Sequence, residues 1–159
     1  MEVNVGEKAP LFTLRAHDKS AVSLESFAGR KVVLVFFPLA FSSVCTTELC
    51  SIRDELKQYN DLNAVVLAIS TDSLYTLRKF REIHDYNFLL LSDYNKEVSR
   101  CYGALHEDYY LDMKGVTKRA VFVIDAKGVV KHKEILEDPS KLPNFDRVKD
   151  TLTSLAIRS

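Results

Sequence analysis

The sequence predicts a single α/β domain with a central mixed sheet flanked by helices. Three observations carry that expectation: apolar runs without alternation, helical periodicity between them, and turn signals that separate them. Lys31–Phe37 (KVVLVFF) reads as a strand buried on both faces, Ala64–Ser70 (AVVLAIS) as a second, and Ala120–Ile124 (AVFVI) as a third. Asp125-Ala-Lys-Gly128 then turns the chain into a hairpin with Val129–Lys133. From Cys45, the positions Leu49, Ile52, Leu56 and Tyr59 trace one helical face. Thr71-Asp72-Ser73 offers N-caps to a second helix carrying Leu74, Leu77, Phe80 and Ile83. Phe145, Val148, Leu152 and Leu155 make a third, entered through Pro143-Asn144. Near the start, Leu11–Arg15 and Ala21–Leu24 alternate weakly around His17-Asp18-Lys19, which suggests an N-terminal β-hairpin extension. The unit from Lys31 to Ser70 is expected to be a parallel right-handed crossover, with antiparallel strands added by the late hairpin.

Composition narrows the function classes. A chain of 159 residues can bury one full core and is short for two, so residues 1–159 read as one domain. Lys plus Arg (22) equals Asp plus Glu (22), leaving no basic field to attract nucleic acid or an anionic membrane. No apolar run approaches the roughly 18–20 residues that span a bilayer. The opening MEVNVGEKAP lacks the basic-then-apolar pattern of a secretory signal. Three cysteines are an odd number and too few for a disulfide scaffold, so a cytoplasmic location is expected. His17, His84, His106 and His132 are scattered, and there is no Gly-rich phosphate loop or dinucleotide fingerprint. No metal or cofactor is expected.

The stretch FFPLAFSSVCTTELC (36–50) places two of the three cysteines five positions apart. That spacing fits neither a C-x-x-C redox pair nor a zinc site. Cys45 opens the helix after the first buried strand, where unpaired backbone N–H groups and the positive end of the helix dipole favour its thiolate, the reactive form. Ser42 lies within hydrogen-bond reach of an oxygen bound at that sulfur. Pro38 ends the strand, removes a donor and shields the site from water. A small buried core cysteine is the competing account of Cys45; the strand–proline–hydroxyl–helix setting favours the reactive one.

Pro38-x-x-x-Ser42-x-x-Cys45 matches the P-x-x-x-[ST]-x-x-C signature, and on it the chain resembles the peroxiredoxins, thiol peroxidases on a thioredoxin-like fold. The resemblance extends over most of the chain. It includes Ala9-Pro-x-Phe-Thr-Leu14, Leu91-Ser-Asp93, Tyr102-Gly103 and Arg119-Ala-Val-Phe-Val-Ile-Asp125. The most similar groups are the bacterioferritin comigratory proteins and the alkyl hydroperoxide reductase E-like proteins. The resemblance implies that Cys45 is the peroxidatic cysteine, which attacks hydrogen peroxide or an organic hydroperoxide and becomes sulfenic acid. It implies that Ser42 hydrogen-bonds the peroxide, Pro38 shields the site, Arg119 is the active-site arginine, and Glu48 orients that arginine. A guanidinium suits the task, since it stabilises both a thiolate and the charge on a departing oxygen.

A sulfenic acid must be cleared by another thiol before it over-oxidises. Cys50 is the resolving candidate. Five residues along an intact helix put the two Cα atoms roughly 8–9 Å apart on different faces, beyond disulfide reach, so their bonding requires the first turns to unwind. The bacterioferritin comigratory protein group is similar in having a resolver at this spacing. The alternative is a one-cysteine mechanism resolved directly by an external thiol, as in the alkyl hydroperoxide reductase E-like group. Either way the implied partners are a peroxide and a thioredoxin- or glutaredoxin-like reductant, with the chain a monomer or homodimer. Cys101 is expected to be a structural thiol behind Tyr102-Gly103, and the acidic, aromatic loop His106–Gly115 a solvated one, with a lining of the site or of an interface as its alternative. A thioredoxin-like disulfide reductase lacking C-x-x-C, a Cys–His hydrolase and a non-enzymatic partner-binding protein stay open as other classes.

Overall fold

In the computed structural model, which describes residues 3–158, the chain begins with a hairpin of β1 (Thr13–Ala16) and β2 (Ala21–Ser23). A 3-10 turn at Leu24–Phe27 leads to β3 (Lys31–Phe36), then α1 (Ser43–Asp54), α2 (Leu56–Asp61) and β4 (Ala64–Ser70). Next come α3 (Leu74–His84), β5 (Leu89–Ser92) and α4 (Glu97–Cys101). A small hairpin of β6 (Leu105–Asp108) and β7 (Lys114–Thr117) precedes β8 (Arg119–Ile124), β9 (Val130–Leu136) and α5 (Phe145–Arg158). The main sheet has the order β2-β1-β5-β4-β3-β8-β9. β4 runs parallel to β3 and β5, and the other pairings are antiparallel, so the sheet is mixed as expected.

The absence of alternation in the apolar runs has a direct cause: the sheet is buried on both sides. Val33, Val35 and Phe37 enter one cluster together with Leu49, Leu77, Phe80, Val148 and Leu152 from the helices. Val32, Leu34 and Phe36 enter the other, covered by Ala9, Leu24, Val98 and Tyr102. A strand between two cores has no polar face to show.

Several expectations are corrected. The helical face from Cys45 to Tyr59 belongs to two helices, broken at Glu55 (φ −107°, ψ 10°), whose carboxylate meets Lys149 Nζ of α5 at 2.9 Å. Tyr59 nonetheless stays buried, so the apolar pattern survived the break that it could not reveal. The N-terminal hairpin is present as expected, and β1 also pairs with β5 and so prolongs the main sheet. β5, four residues long, is too short to show any period. Residues in the segment 106–115 are partly ordered as β6 and β7, paired Leu105 to Thr117 and Asp108 to Lys114. Cys101, expected behind Tyr102-Gly103, is exposed at the end of α4; it is the adjacent Tyr102 that turns inward, donating its hydroxyl to the Pro10 carbonyl.

Leu34 sits at the centre of β3 with no exposed surface. Leu34→Ala is expected to lower unfolding free energy by about 2–5 kcal/mol, read as an earlier urea midpoint at unchanged slope.

Candidate active site

The site is assembled where β3 gives way to α1. Phe37 still donates its N–H to Ile69 O at 3.0 Å, but the buried Pro38 has no N–H to give, and the ladder stops. The loop that follows is tied to the end of β4: Asp72 Oδ2 accepts from Ala40 N at 2.8 Å and from Ser70 Oγ at 2.7 Å. Burial raises the Asp72 pKa, against the pull of those two bonds. Phe41 takes a left-handed φ of 70°, rare for a bulky residue, and delivers Ser42 to the N-cap of α1. The Ser42 hydroxyl donates to Leu39 O at 2.8 Å, which leaves its lone pairs free to accept a peroxide O–H.

Cys45 lies in the first turn of α1 with no exposed surface. Glu48 follows one helical turn later on the same face, also fully buried. The third member comes from across the sheet. β8 pairs antiparallel with β3 up to Phe36 and Ala120, so Arg119 stands beside the point where β3 turns toward α1. Its guanidinium donates through Nη1 to Glu48 Oε1 at 2.6 Å and through Nη2 to Cys45 Sγ at 3.4 Å. Nη2 also reaches Pro139 O at 2.9 Å, and Nε reaches the same carbonyl at 3.3 Å. The fork geometry of arginine is thus fully used, and a lysine has no equivalent set of donors.

Electrostatically, one buried cation serves two acids. Burial raises the Glu48 pKa to about 7, although the charge and hydrogen bond of Arg119 pull it down. Burial works against the Arg119 charge too, but Glu48 and Cys45 outweigh it and raise its pKa. Glu48 Oε2 makes no hydrogen bond of its own, which fits a carboxyl that ionises reluctantly. A cavity of about 270 Å³ opens above this group, between Ser42, Val44, Arg119 and the tip of the β6–β7 hairpin at Tyr109–Leu111. The lining is mostly apolar, and the hairpin tip carries the exposed Leu111 at a φ of 55°.

The structure therefore brings Cys45, Glu48 and Arg119 into one hydrogen-bonded group, with Ser42 and Pro38 in the loop at its edge. Cys50 is elsewhere. It is half-buried on α1, with Sγ 3.6 Å from the Tyr86 hydroxyl, and all three thiols are free. The Pro139 carbonyl was missed by sequence reasoning, whereas Tyr109 lies in the loop His106–Gly115 that it offered as one lining of the site. A backbone acceptor leaves no mark in side-chain identity, whereas the aromatic run near Tyr109 did single out its loop.

Glu48 sets a pH dependence. Burial raises its pKa from the ordinary glutamate range to about 7 in the folded state, so the folded state binds more protons across that window. Stability is then greatest below the unfolded value and falls as pH rises toward 7. Relative to Glu48→Gln, the wild type is expected to lose on the order of 3 kcal/mol over this range, measured by urea unfolding at stepped pH. Parallel curves for the two proteins contradict the assignment.

The chain is similar to known proteins over most of its length. The AhpC/TSA family profile matches residues 5–133. Alkyl hydroperoxide reductase E of Mycobacterium bovis is 35% identical over 156 residues, covering 96% of this chain and 98% of that protein. The mitochondrial thioredoxin-dependent peroxide reductase of Mus musculus is 38% identical over 138 residues, and there the chain spans about half (50%) of the relative's length. Among solved structures, peroxidoxin BcpB from Mycobacterium tuberculosis superposes with a TM-score of 0.86 at 28% identity, over 97% of this chain and 99% of that one. PrxQ from Xylella fastidiosa, at 21% identity and a TM-score of 0.85, shares the fold. With the matched profile spanning the strand, the loop and the helix that carry Cys45, and the arginine strand opposite them, the chain belongs to the AhpC/TSA family, the peroxiredoxins, a family of peroxidase enzymes.

Proposed function

We propose that the chain is a thiol-dependent peroxidase in which Cys45 reduces hydrogen peroxide and organic hydroperoxides. The observation that carries this is the Arg119 guanidinium, held within 3.4 Å of the Cys45 sulfur by a second bond to Glu48. In the first step the Cys45 thiolate attacks the terminal peroxide oxygen. An S–O bond forms, the O–O bond breaks, and the leaving oxygen takes a proton to become water or an alcohol. Arg119 stabilises the thiolate before the step and the departing oxygen during it. Ser42 accepts from the bound peroxide, Pro38 keeps water from the sulfur, and Glu48 orients Arg119.

Cys50 is the proposed resolver, attacking the Cys45 sulfenic acid to give a disulfide that a thioredoxin- or glutaredoxin-like thiol reduces. The name of the mouse relative, a thioredoxin-dependent peroxide reductase, supports that class of reductant. The competing one-cysteine route is favoured by a specific observation: the two thiols share the continuous helix α1 and are not bonded. We place the protein in the cytoplasm as a monomer or homodimer; no described helix is long and apolar enough to cross a membrane.

Cys45→Ser is expected to abolish peroxide consumption in the presence of a dithiol, and Arg119→Gln to slow it by roughly 10²–10³-fold. Retained turnover in Cys45→Ser overturns the proposal. Peptide mapping after one equivalent of hydrogen peroxide separates the two routes: a Cys45–Cys50 disulfide supports the resolver, and Cys45 sulfenic or sulfinic acid alone supports the one-cysteine route.

A further inference from the structure

Tyr86 makes contacts on α1 that the peroxide chemistry does not use. It lies just beyond α3 with its ring 2% exposed. The ring is stacked on His84 and Phe88, with centroids 5.4 Å away in each case, and meets Phe80 edge-on at 5.1 Å. So fixed, its hydroxyl points at α1 and reaches the Thr46 carbonyl at 3.5 Å and Cys50 Sγ at 3.6 Å. A phenol has one proton and can also accept, so donation to Thr46 leaves the oxygen able to receive the Cys50 S–H. In an α-helix the carbonyl of residue 46 is also the acceptor for the N–H of residue 50. One hydroxyl therefore grips both ends of the turn that separates the two cysteines.

Arg119 holds that turn through Cys45 and Glu48, but its two threonines add little to the helix. Thr46 Oγ1 donates to Ser42 O at 2.9 Å and Thr47 Oγ1 to Ser43 O at 3.1 Å, so both hydroxyls compete with backbone N–H groups for carbonyls of the first turn. Ser42, at the N-cap, makes no side-chain bond to α1. The preceding Phe41, in its left-handed conformation, rests on Phe80 at a centroid distance of 4.9 Å, and Phe80 is the ring that also supports Tyr86. The far end of α1 is fastened separately, with Arg53 Nη1 donating to His84 O at 2.6 Å.

We propose that the Tyr86 hydroxyl is a latch on the first turns of α1, a positioning residue that sets how fast Cys50 reaches oxidised Cys45. The proposal rests on Cys50 as the resolving thiol. In the step it controls, the Cys50 sulfur attacks the Cys45 sulfenic sulfur. An S–S bond forms, the S–O bond breaks, and the leaving hydroxide takes up the proton released by the Cys50 thiol, giving water. Cys50 is oxidised and the sulfenic sulfur reduced, with no other reactant. The attack requires the turn to open, and opening breaks the contacts of the Tyr86 hydroxyl.

Tyr86→Phe removes that hydroxyl and keeps the ring. In the reduced protein, amide hydrogen exchange over residues 43–50 is expected to quicken about fivefold, the worth of one neutral hydrogen bond, while residues 148–152 of α5 are unaffected. After one equivalent of hydrogen peroxide, the Cys45–Cys50 disulfide is expected to form faster by a similar factor, timed separately from sulfenic acid formation. The share of Cys45 sulfinic acid in excess peroxide falls accordingly. Unchanged exchange over 43–50, with the disulfide found in both proteins at equal rates, overturns the latch and leaves Cys50 as resolver. Faster exchange with no disulfide in either protein overturns the resolving role of Cys50 and with it the latch's part in catalysis.

Discussion

A guanidinium with almost no exposed surface is the constraint around which this site is arranged. Arg119 is 1% exposed, and a buried charge is tolerated only when its donors are met by acceptors of matching geometry. Glu48 and Cys45, both on α1, and the Pro139 carbonyl, after β9, supply them. The antiparallel register of β8 on β3 fixes the arginine, the helical repeat fixes Cys45 relative to Glu48, and the segment after β9 closes the third side. The pairing of charge with thiol is thus a consequence of the sheet, and the Cys45 sulfur is buried where a single cation acts with little screening.

The same sheet explains which parts of the fold could be read from the chain. β3, β4 and β8 lie between two cores, and their unbroken apolar runs announced them; a seven-residue stretch such as AVVLAIS has no other comfortable place. Of the three N-cap candidates Thr71, Asp72 and Ser73, it is the Ser73 hydroxyl that accepts from Thr76 N. The break at Glu55 was not legible, because the apolar face continues to Tyr59 on both sides of it. Nor was the exposure of Cys101: a cysteine next to a buried tyrosine looks like core until the direction of its side chain is known.

For the site, local pattern and long-range placement contributed differently. Pro38, Ser42, Cys45 and Glu48 lie within eleven positions, and helix geometry sets Cys45 relative to Glu48. Arg119 is 74 residues away from Cys45, and no periodicity links the two; only the family resemblance marked it. Tyr86 had neither advantage, being one aromatic among many in a segment without a motif. Its meaning came from where its hydroxyl points.

The interruption at Glu55 has a further consequence for how motion is confined. Because α1 ends there and α2 begins anew, fraying that starts beside Ser42 meets a boundary at Glu55, which Lys149 tethers to the C-terminal helix. Tyr59, deep in the core, stays on the far side of that boundary. If the proposed resolving step opens the first turns of α1, that boundary confines the opening to the Ser42 side of Glu55.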